Sequence, residues 1–454
     1  MVGWLWAEPP QLLRVAANYS AKIVCSSVFL AGRDPQEVLR SDIQSTGNPV
    51  LRLMRVSLVR EHGLVRAGLF CLIGDGLAEY RAGAGCAALP DGKLNAGAGA
   101  ALMRAAAQDT APMVAGTGAA PASGATAIDS LTWPDGETVA TDANLDHLVG
   151  DDGLAGPGVR AIVVVHRGKI VAERYTAGFS ATTPLLGWSM TKTVTAGLIG
   201  LLVKDGRLRL GQSAGWHAAP GDARDRITIA DLLAMSSGLH FDEAYGALSD
   251  VTRMLYLESD MAGFARAQPL DHPVGAVWSY SSGTAVILAR IFQDAAGDNG
   301  LSFVRERLFA PLGMRSATIE TDAHGTLVGS SYMYAVARDW ARYGQFLLQG
   351  GVWHGQSLLP SGYVNMMVTP VAASSGQYGH GQVWLWGSAA EKPGENPDEA
   401  YGLPGDTFWM EGHDGQSIAV IPSREFVIVR LGLTPSSSRY RPQPLVQALL
   451  RAVT

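Results

Sequence analysis

Residues 189–203 read Ser-Met-Thr-Lys-Thr-Val-Thr-Ala-Gly-Leu-Ile-Gly-Leu-Leu-Val. Apolar side chains recur every three or four positions after residue 193, and this spacing predicts a helix that starts at Ser189. Lys192 is the only lysine of the chain with a serine three residues before it. Because residues three apart share one face of a helix, the Lys192 amine can reach the Ser189 hydroxyl.

This pair has the residue types of a nucleophile and its base. A serine hydroxyl becomes a nucleophile only when a base removes its proton, and a partly desolvated lysine has a pKa low enough to help. The exposed amides and the dipole of a helix N-terminus favour a developing negative charge. Helix starts also carry Ser and an exposed Lys by chance, so the pair alone is a weak signal.

A second stretch reads Trp-Ser-Tyr-Ser-Ser-Gly at 278–283, directly before a predicted helix over 284–296. Ser281 or Ser282 can serve as the N-cap of that helix. The tyrosine before a helix start, Tyr280, can instead present its phenol oxygen to the serine and the lysine. Both interpretations are compatible with the sequence.

A third stretch reads His-Asp-Gly-Gln at 413–416, at the entrance to a predicted strand over 417–421. The simple interpretation is a tight turn. The functional interpretation is an edge strand that lines a cleft and offers a backbone N–H to an oxyanion.

In this order and spacing, the three stretches resemble the penicillin-recognising serine hydrolases. That superfamily includes class C β-lactamases, D-alanyl-D-alanine carboxypeptidases, D-aminopeptidases, carboxylesterases and 6-aminohexanoate-dimer (nylon oligomer) hydrolases. Its marks are Ser-x-x-Lys, a later Tyr-x-Asn and a Lys/His-x-Gly triad. Residues 227–239, 311–314 and 337–344 also resemble this family. The resemblance covers roughly residues 155–454 and does not explain the first 150.

The resemblance implies a role for each residue that matches a motif. Ser189 is the expected nucleophile, and Lys192 and Tyr280 act as the coupled general base and acid. The Ser189 and Gln416 backbone amides form the expected oxyanion hole, with His413 in the place of the third motif's basic residue. The expected substrate-binding residues are His413, Gly415, Ser282, Trp188 and Tyr245.

Three departures from the family pattern argue against efficient β-lactam hydrolysis. Ser282 stands where Tyr-x-Asn has its asparagine, so the amide that often holds a substrate carbonyl is missing. Asp414 stands where β-lactamases tend to have threonine, and an acid there repels a β-lactam carboxylate. His413 replaces the lysine of β-lactamases, and its charge depends on pH.

We therefore expect a serine hydrolase that cleaves carboxylic esters, and amides of the nylon-oligomer type, through an acyl-enzyme on Ser189. One alternative is a β-lactamase or a D-amino-acid peptidase or carboxypeptidase on the same fold, and another is a non-catalytic binding protein. Gly-x-Ser-x-Gly at 211–215 also matches a nucleophile elbow, but no buried strand or helix flanks it as that motif requires. The ten histidines show no metal-ligand spacing, so we expect neither metal nor cofactor.

The order of predicted elements indicates an α+β fold. Strands are predicted at 159–166 and 170–175, helices fill the middle of the chain, and strands return at 417–421 and 426–431. The two strand groups have to meet in one sheet. We therefore expect a central antiparallel sheet of β-lactamase/transpeptidase type, flanked by terminal helices, with a mostly helical region inserted.

These elements divide the chain into three predicted parts. Residues 1–108 form a small mixed accessory region, 109–127 an Ala/Gly/Pro-rich linker and 128–454 the catalytic domain. Within the catalytic domain, the sheet takes about 155–188 and 405–454, and the helical insert takes about 205–350.

The accessory region has its own predicted elements. A helix is expected over 12–29, and strands are expected over 64–72 and 78–84 on either side of Gly-Asp-Gly at 74–76.

Composition excludes several classes of protein. With 454 residues, 47% hydrophobic, 17% charged and 54 Gly, the chain is a well-buried, loop-rich globular protein. Its 35 Lys+Arg against 41 Asp+Glu give a net charge of −6 and no basic footprint for nucleic acid. No apolar stretch reaches 18 residues, so we expect no transmembrane segment. The expected partner is a small-molecule ester or amide, and the oligomeric state stays open.

Three cysteines cannot form a disulfide framework, although one bridge is compatible with the sequence. Cys86 could pair with Cys25 or with Cys71, and reduced buried thiols are the default expectation. The apolar start at 1–6 is short, and basic residues interrupt the next apolar stretch, so no signal peptide is recognisable. Both cytoplasm and periplasm stay open.

Overall fold

The computed structural model describes residues 9–46, 48–70, 73–94, 130–216, 220–246, 248–297, 300–387 and 395–453. The predicted linker at 109–127 lies outside these ranges, as does Cys71.

The strands of the described ranges are β1 (Met54–Val59), β2 (Leu64–Leu69), β3 (Ile73–Arg81), β4 (Gly85–Ala88), β5 (Val159–His166), β6 (Lys169–Tyr175), β7 (Leu185–Leu186), β8 (Thr318–Ile319), β9 (Met333–Ala335), β10 (Val352–Trp353), β11 (Gln356–Ser357), β12 (Phe408–Gly412), β13 (Gln416–Ile421) and β14 (Phe426–Gly432). The α-helices there are α1 (Gln11–Phe29), α2 (Pro35–Val38), α3 (Ala143–Gly150), α4 (Asp152–Ala155), α5 (Met190–Lys204), α6 (Ile229–Leu233), α7 (Asp250–Leu257), α8 (Met261–Arg266), α9 (Ser282–Ala296), α10 (Gly300–Val304), α11 (Ala337–Leu348), α12 (Tyr363–Met367), α13 (Pro397–Ala400) and α14 (Gln443–Ala452).

The central sheet joins strands from both ends of the catalytic region. Its order is β12-β13-β14-β5-β6, and every neighbouring pair is antiparallel. The late strand β14 lies against the early strand β5, with Val427 opposite Val165. Helix α11 packs on one face, and α3 and α14 supply apolar side chains to the core on the other. The α+β prediction of one antiparallel sheet built from distant strands is confirmed.

The helical region between β7 and β12 brings two predicted motifs together. Helix α5 begins directly after Ser189 and has buried residues on all sides. Helix α9 begins at Ser282 and packs along α5, because both helices have apolar faces that have to leave water. The N-termini of α5 and α9 therefore meet at one end of the region.

The N-terminal region is a four-stranded antiparallel sheet, β1-β2-β3-β4, with α1 packed on it. The predicted break at 74–76 is wrong, since these residues lie inside β3. Gly76 is required there for packing: a Cβ on it would stand 2.2 Å from the backbone carbon of Ala17 in α1. The glycines allow the helix and the strand to approach closely. In the sequence, the same glycines resemble the composition of a turn.

A buried ion pair attaches α1 to the catalytic region. Lys22 donates to the Glu320 carboxylate, and both side chains are buried. Glu320 also accepts hydrogen bonds from the Ser26 hydroxyl, at 2.9 Å, and from the Cys86 amide, at 2.6 Å. A carboxylate with this many donors is satisfied without water, so the contact forms part of the core.

The default expectation of reduced thiols is wrong for two cysteines. Cys25 of α1 and Cys86 of β4 form a disulfide, with Cα atoms 6.1 Å apart. The bridge lies beside the Glu320 carboxylate, because the Cys86 amide donates to it. None of the helices in the described ranges is long and apolar enough to cross a membrane.

Candidate active site

A strained turn presents Ser189. Strand β7 leads through Gly187 to Trp188, whose φ of 49° lies in the left-handed region that a bulky side chain rarely adopts. Gly187 is pressed against Trp340, because a Cβ on it would stand 2.2 Å from that indole ring. Backbone strain of this kind persists only where the surroundings enforce it, and it clusters at functional sites. Ser189 follows this turn and is half-buried.

Lys192 is one helical turn further along α5 and reaches the same hydroxyl. Its Nζ lies 3.0 Å from the Ser189 Oγ, 3.0 Å from the Ser282 Oγ and 3.0 Å from the carbonyl oxygen of Ser330. Lys192 is only 1% exposed, and burial lowers its pKa to about 8. The negative charge of Glu243 opposes this shift. An amine with such a pKa is partly neutral near pH 8 and can accept a proton.

Tyr280 is the third residue of the group at the Ser189 hydroxyl. Its hydroxyl shares a hydrogen bond with Ser189, and the Lys192 Nζ lies 4.8 Å from the centre of its ring. Burial raises the Tyr280 pKa, and the negative charges of Glu243 and Glu411 raise it further. The phenol therefore stays protonated and can donate.

Glu243 is a site residue that the sequence did not reveal. One of its carboxylate oxygens lies 2.5 Å from the Ser282 Oγ, which donates to it, and the other accepts from the Ser282 amide at 2.7 Å. The Ser282 hydroxyl thus bridges the Lys192 amine and this carboxylate. Burial raises the Glu243 pKa, and the nearby lysine lowers it. The sequence held only an indirect signal for Glu243. Ser282 stands where the family pattern has an asparagine amide, so its hydroxyl needs another hydrogen-bond partner.

Three predicted substrate-binding residues form one aromatic cluster beside Ser189. The Tyr245 ring stacks on His413 with centroids 4.6 Å apart, and Trp188 meets the same imidazole edge-on at 5.5 Å. His413 is partly exposed, so this cluster forms an accessible wall next to Ser189.

Two predicted site residues, Gly415 and Gln416, form hydrogen bonds that hold the 413–416 turn. Gln416 is buried, and its side chain accepts from the Gly432 amide at 2.8 Å and donates to the Gly432 carbonyl at 2.7 Å. Gly415 has a φ of 77°, and its carbonyl accepts from Arg430 at 2.8 Å. These contacts hold the shape of the turn.

Two competing motifs have simple structural explanations. Ser281 is the N-cap of α9, since its hydroxyl accepts from the Thr284 amide at 3.1 Å, and this leaves Ser282 to face Lys192. The serine of the Gly-x-Ser-x-Gly match, Ser213, donates to the Asp225 carbonyl. Across the described ranges, no group of three or more His, Cys, Asp or Glu side chains is placed to hold a metal ion.

Comparison with known proteins agrees with this geometry. The family model described as Beta-lactamase matches residues 142–449. The 6-aminohexanoate-dimer hydrolase of Paenarthrobacter ureafaciens is 26% identical over 222 residues, which cover 46% of this chain and 56% of that protein. Penicillin-binding protein 4 of Amycolatopsis lactamdurans is 30% identical over 185 residues, or 39% of this chain and 45% of that protein. The chain thus spans about half the length of these curated relatives.

A solved structure shares the fold. It is a Bacillus anthracis protein whose assignment as a 6-aminohexanoate-dimer hydrolase is itself provisional, with a TM-score of 0.56 and 24% identity. The match covers 72% of this chain and 85% of that one. Since the family model spans more than half of the chain and includes Ser189, Lys192 and Tyr280, the chain belongs to the beta-lactamase family of serine hydrolases.

Proposed function

We propose that this protein hydrolyses carboxylic esters, and amides of the nylon-oligomer type, through an acyl-enzyme on Ser189. The observation that carries the proposal is the contact between the Ser189 hydroxyl and Lys192, whose Nζ is 3.0 Å away and whose pKa burial lowers to about 8. A serine beside an ordinary exposed lysine would lack a base at neutral pH. The relatives named 6-aminohexanoate-dimer hydrolase support the amide part.

The proposed reaction begins when neutral Lys192 accepts the Ser189 proton as the oxygen attacks the substrate carbonyl. Tyr280 is protonated and hydrogen-bonded to the Ser189 side chain, and it donates its proton to the leaving alcohol or amine. The proton held by Lys192 then passes to the Tyr280 oxygen and restores the phenol. Water attacks the acyl-enzyme with Lys192 again as base, and Ser189 recovers its proton when the acid leaves.

The oxyanion formed at each stage needs backbone donors. The Ser189 amide, at the start of α5, remains the first candidate. For the second, the sequence suggested Gln416, but the contacts favour His413: a Cβ on Gly412 would stand 2.2 Å from the Gly187 carbonyl, so β12 runs directly beside the nucleophile turn. His413 follows Gly412, and its ring touches Trp188. We propose the His413 amide as the second donor.

β-Lactam or D-peptide hydrolysis is the second candidate, supported by the family match and the penicillin-binding relative. The charge around the site disfavours it. Glu243 and Glu411 both act on Tyr280, and they would repel the carboxylate that β-lactams carry.

The test is the Ser189→Ala variant, assayed with short p-nitrophenyl esters, an aminohexanoate dimer and nitrocefin. We expect hydrolysis of the ester to fall at least ~10³-fold, because the nucleophile is lost while binding remains. Ser213→Ala is the matched control and should retain full activity. Turnover by Ser189→Ala equal to that of the parent protein would rule out the proposal, whereas a parent that prefers nitrocefin would favour the second candidate.

A further inference from the structure

The hairpin of β1 and β2 has one covered face and one open face. Met54 of β1 is buried in the same core as the apolar side chains of α1. Because successive side chains of a strand point to opposite faces, Arg55, Ser57 and Val59 lie on the other face, and all three are exposed. Arg66 of β2 pairs with Ser57 and is exposed on that face too. The hairpin therefore presents a basic face to solvent.

Nearby acids balance only part of the positive charge of this hairpin. Residues 48–70 contain four exposed arginines, Arg52, Arg55, Arg60 and Arg66. Within the described ranges, none of them forms an ion pair with a carboxylate, and Arg55 donates to the Met54 carbonyl at 2.8 Å. The exposed acids of the hairpin and of β3 are Glu61 and Asp75, while Glu79 is paired with Arg81 at 3.0 Å. Two positive charges therefore remain on the hairpin.

The positive charge is specific to the N-terminal part of the chain. Residues 9–94 contain ten Lys and Arg against seven Asp and Glu, which gives a net charge of +3. The whole chain has a net charge of −6, so all the other residues together carry −9. Charge of opposite sign on two parts of one molecule orients it toward a negatively charged surface with the basic part first.

Exposed apolar side chains lie among the arginines of the hairpin. Phe70 is 55% exposed, Leu53 42% and Val59 40%. The Phe70 amide donates to the Leu53 carbonyl at 3.4 Å, so these two residues are neighbours at the end of the hairpin away from its turn. Phe70 has a φ of 54°, in the left-handed region that a bulky side chain rarely adopts. The hairpin thus exposes an aromatic ring to water although burial would be favourable.

The chemistry of this face fits a bilayer better than a second copy of the chain. β1 is the edge strand of its sheet, and pairing of two β1 edges would bring the arginines of both copies together. The arginines lack carboxylate partners that would hold them in one arrangement, which suits a surface of many mobile phosphates. A bilayer with anionic lipids supplies those phosphates and an apolar layer for Phe70 and Leu53.

We propose that the open face of the β1–β2 hairpin docks on the surface of a bilayer that contains anionic lipids. The arginines bind headgroup phosphates through their N–H groups. Phe70 and Leu53 enter the boundary between headgroups and acyl chains, so the protein lies on the bilayer and does not span it. The proposal is independent of the proposed function, because binding to a bilayer needs no substrate.

The test is co-sedimentation of the full chain with vesicles of phosphatidylcholine alone and of equal parts phosphatidylcholine and phosphatidylglycerol. We expect binding to the anionic vesicles to be stronger by about tenfold or more, and to weaken at high salt because salt screens the arginines. Arg55→Gln/Arg66→Gln should weaken it by about 20–30-fold, since each arginine near the surface contributes about fivefold. Arg209→Gln/Arg226→Gln removes two exposed arginines of the catalytic region and is the matched control.

Phe70→Asn tests the apolar part, because asparagine tolerates the left-handed backbone but has no ring. It should weaken binding by about tenfold, whereas Leu131→Asn, at an exposed leucine outside the hairpin, should not. Either variant of the hairpin decides if the other does not fold. Absent binding, equal binding to neutral vesicles, or equal loss in the controls would overturn the inference. Self-association without vesicle binding, abolished by Arg55→Gln/Arg66→Gln, would assign the face to a second copy and overturn it too.

Discussion

Lys192 makes three hydrogen bonds and is buried, and its pKa follows from the balance between burial and one nearby charge. Burial lowers the pKa to about 8, and the Glu243 carboxylate resists that change. Glu243 contacts Ser282 and not Ser189, so its negative charge would act on Lys192 from the Ser282 side. Activity should rise with pH through about 8 as Lys192 loses its proton, since only the neutral amine accepts one.

Glu243→Gln tests this arrangement. Gln keeps the shape and an acceptor for the Ser282 amide, but removes the charge that favours protonated Lys192. We expect the midpoint of the rise in kcat/KM to move down by about 1 pH unit. Asp242→Asn removes an exposed charge on the residue before Glu243 and is the matched control. An unmoved midpoint, with only a lower rate, would mean that Glu243 has a structural role alone.

The N-terminal helix and β3 approach each other more closely than side chains normally allow. Gly76 makes this possible, and the adjacent Leu77 amide donates to the Asn18 side chain of α1 at 3.2 Å. The sequence predicted α1 from its periodicity, but it placed a turn where β3 runs. Glycine in a strand and glycine in a turn look alike until the partner helix is known.

Gly76→Ala should therefore destabilise the protein by about 1–3 kcal/mol or more, because the new methyl group overlaps the α1 backbone. Gly405→Ala is the control, since Gly405 is exposed and a Cβ there meets nothing within 4 Å. Chemical denaturation of both variants measures the difference. Equal stability would show that α1 and β3 pack less closely than described.

The N-terminal region and the catalytic region share one buried polar core. Lys22 pairs with Glu320, and its Nζ lies 4.0 Å from the centre of the Tyr332 ring. That ring lies 5.7 Å from Trp188, centroid to centroid, so a chain of contacts joins the ion pair to the turn before Ser189. The predicted division at 109–127 stays a prediction, but the two regions pack against each other as parts of one structure.

Lys22→Met should cost about 3–5 kcal/mol of stability, because it leaves the Glu320 carboxylate buried without its cation. The double variant Lys22→Met/Glu320→Gln should recover part of that loss, since no charge remains buried. Arg290→Met breaks the exposed pair with Asp294 and should cost less than about 1 kcal/mol. Thermal and urea unfolding would measure all three. A small effect for Lys22→Met would contradict the buried pair.

Local spacing was enough to predict the Ser189–Lys192 contact and the start of α5, because both depend on helical periodicity over a few residues. The antiparallel sheet also followed from the order of elements. The Glu243–Ser282 contact appeared only in the tertiary structure, which also decided that Cys86 pairs with Cys25. Such contacts join residues far apart in sequence, and they form only where apolar faces pack and bring those residues together.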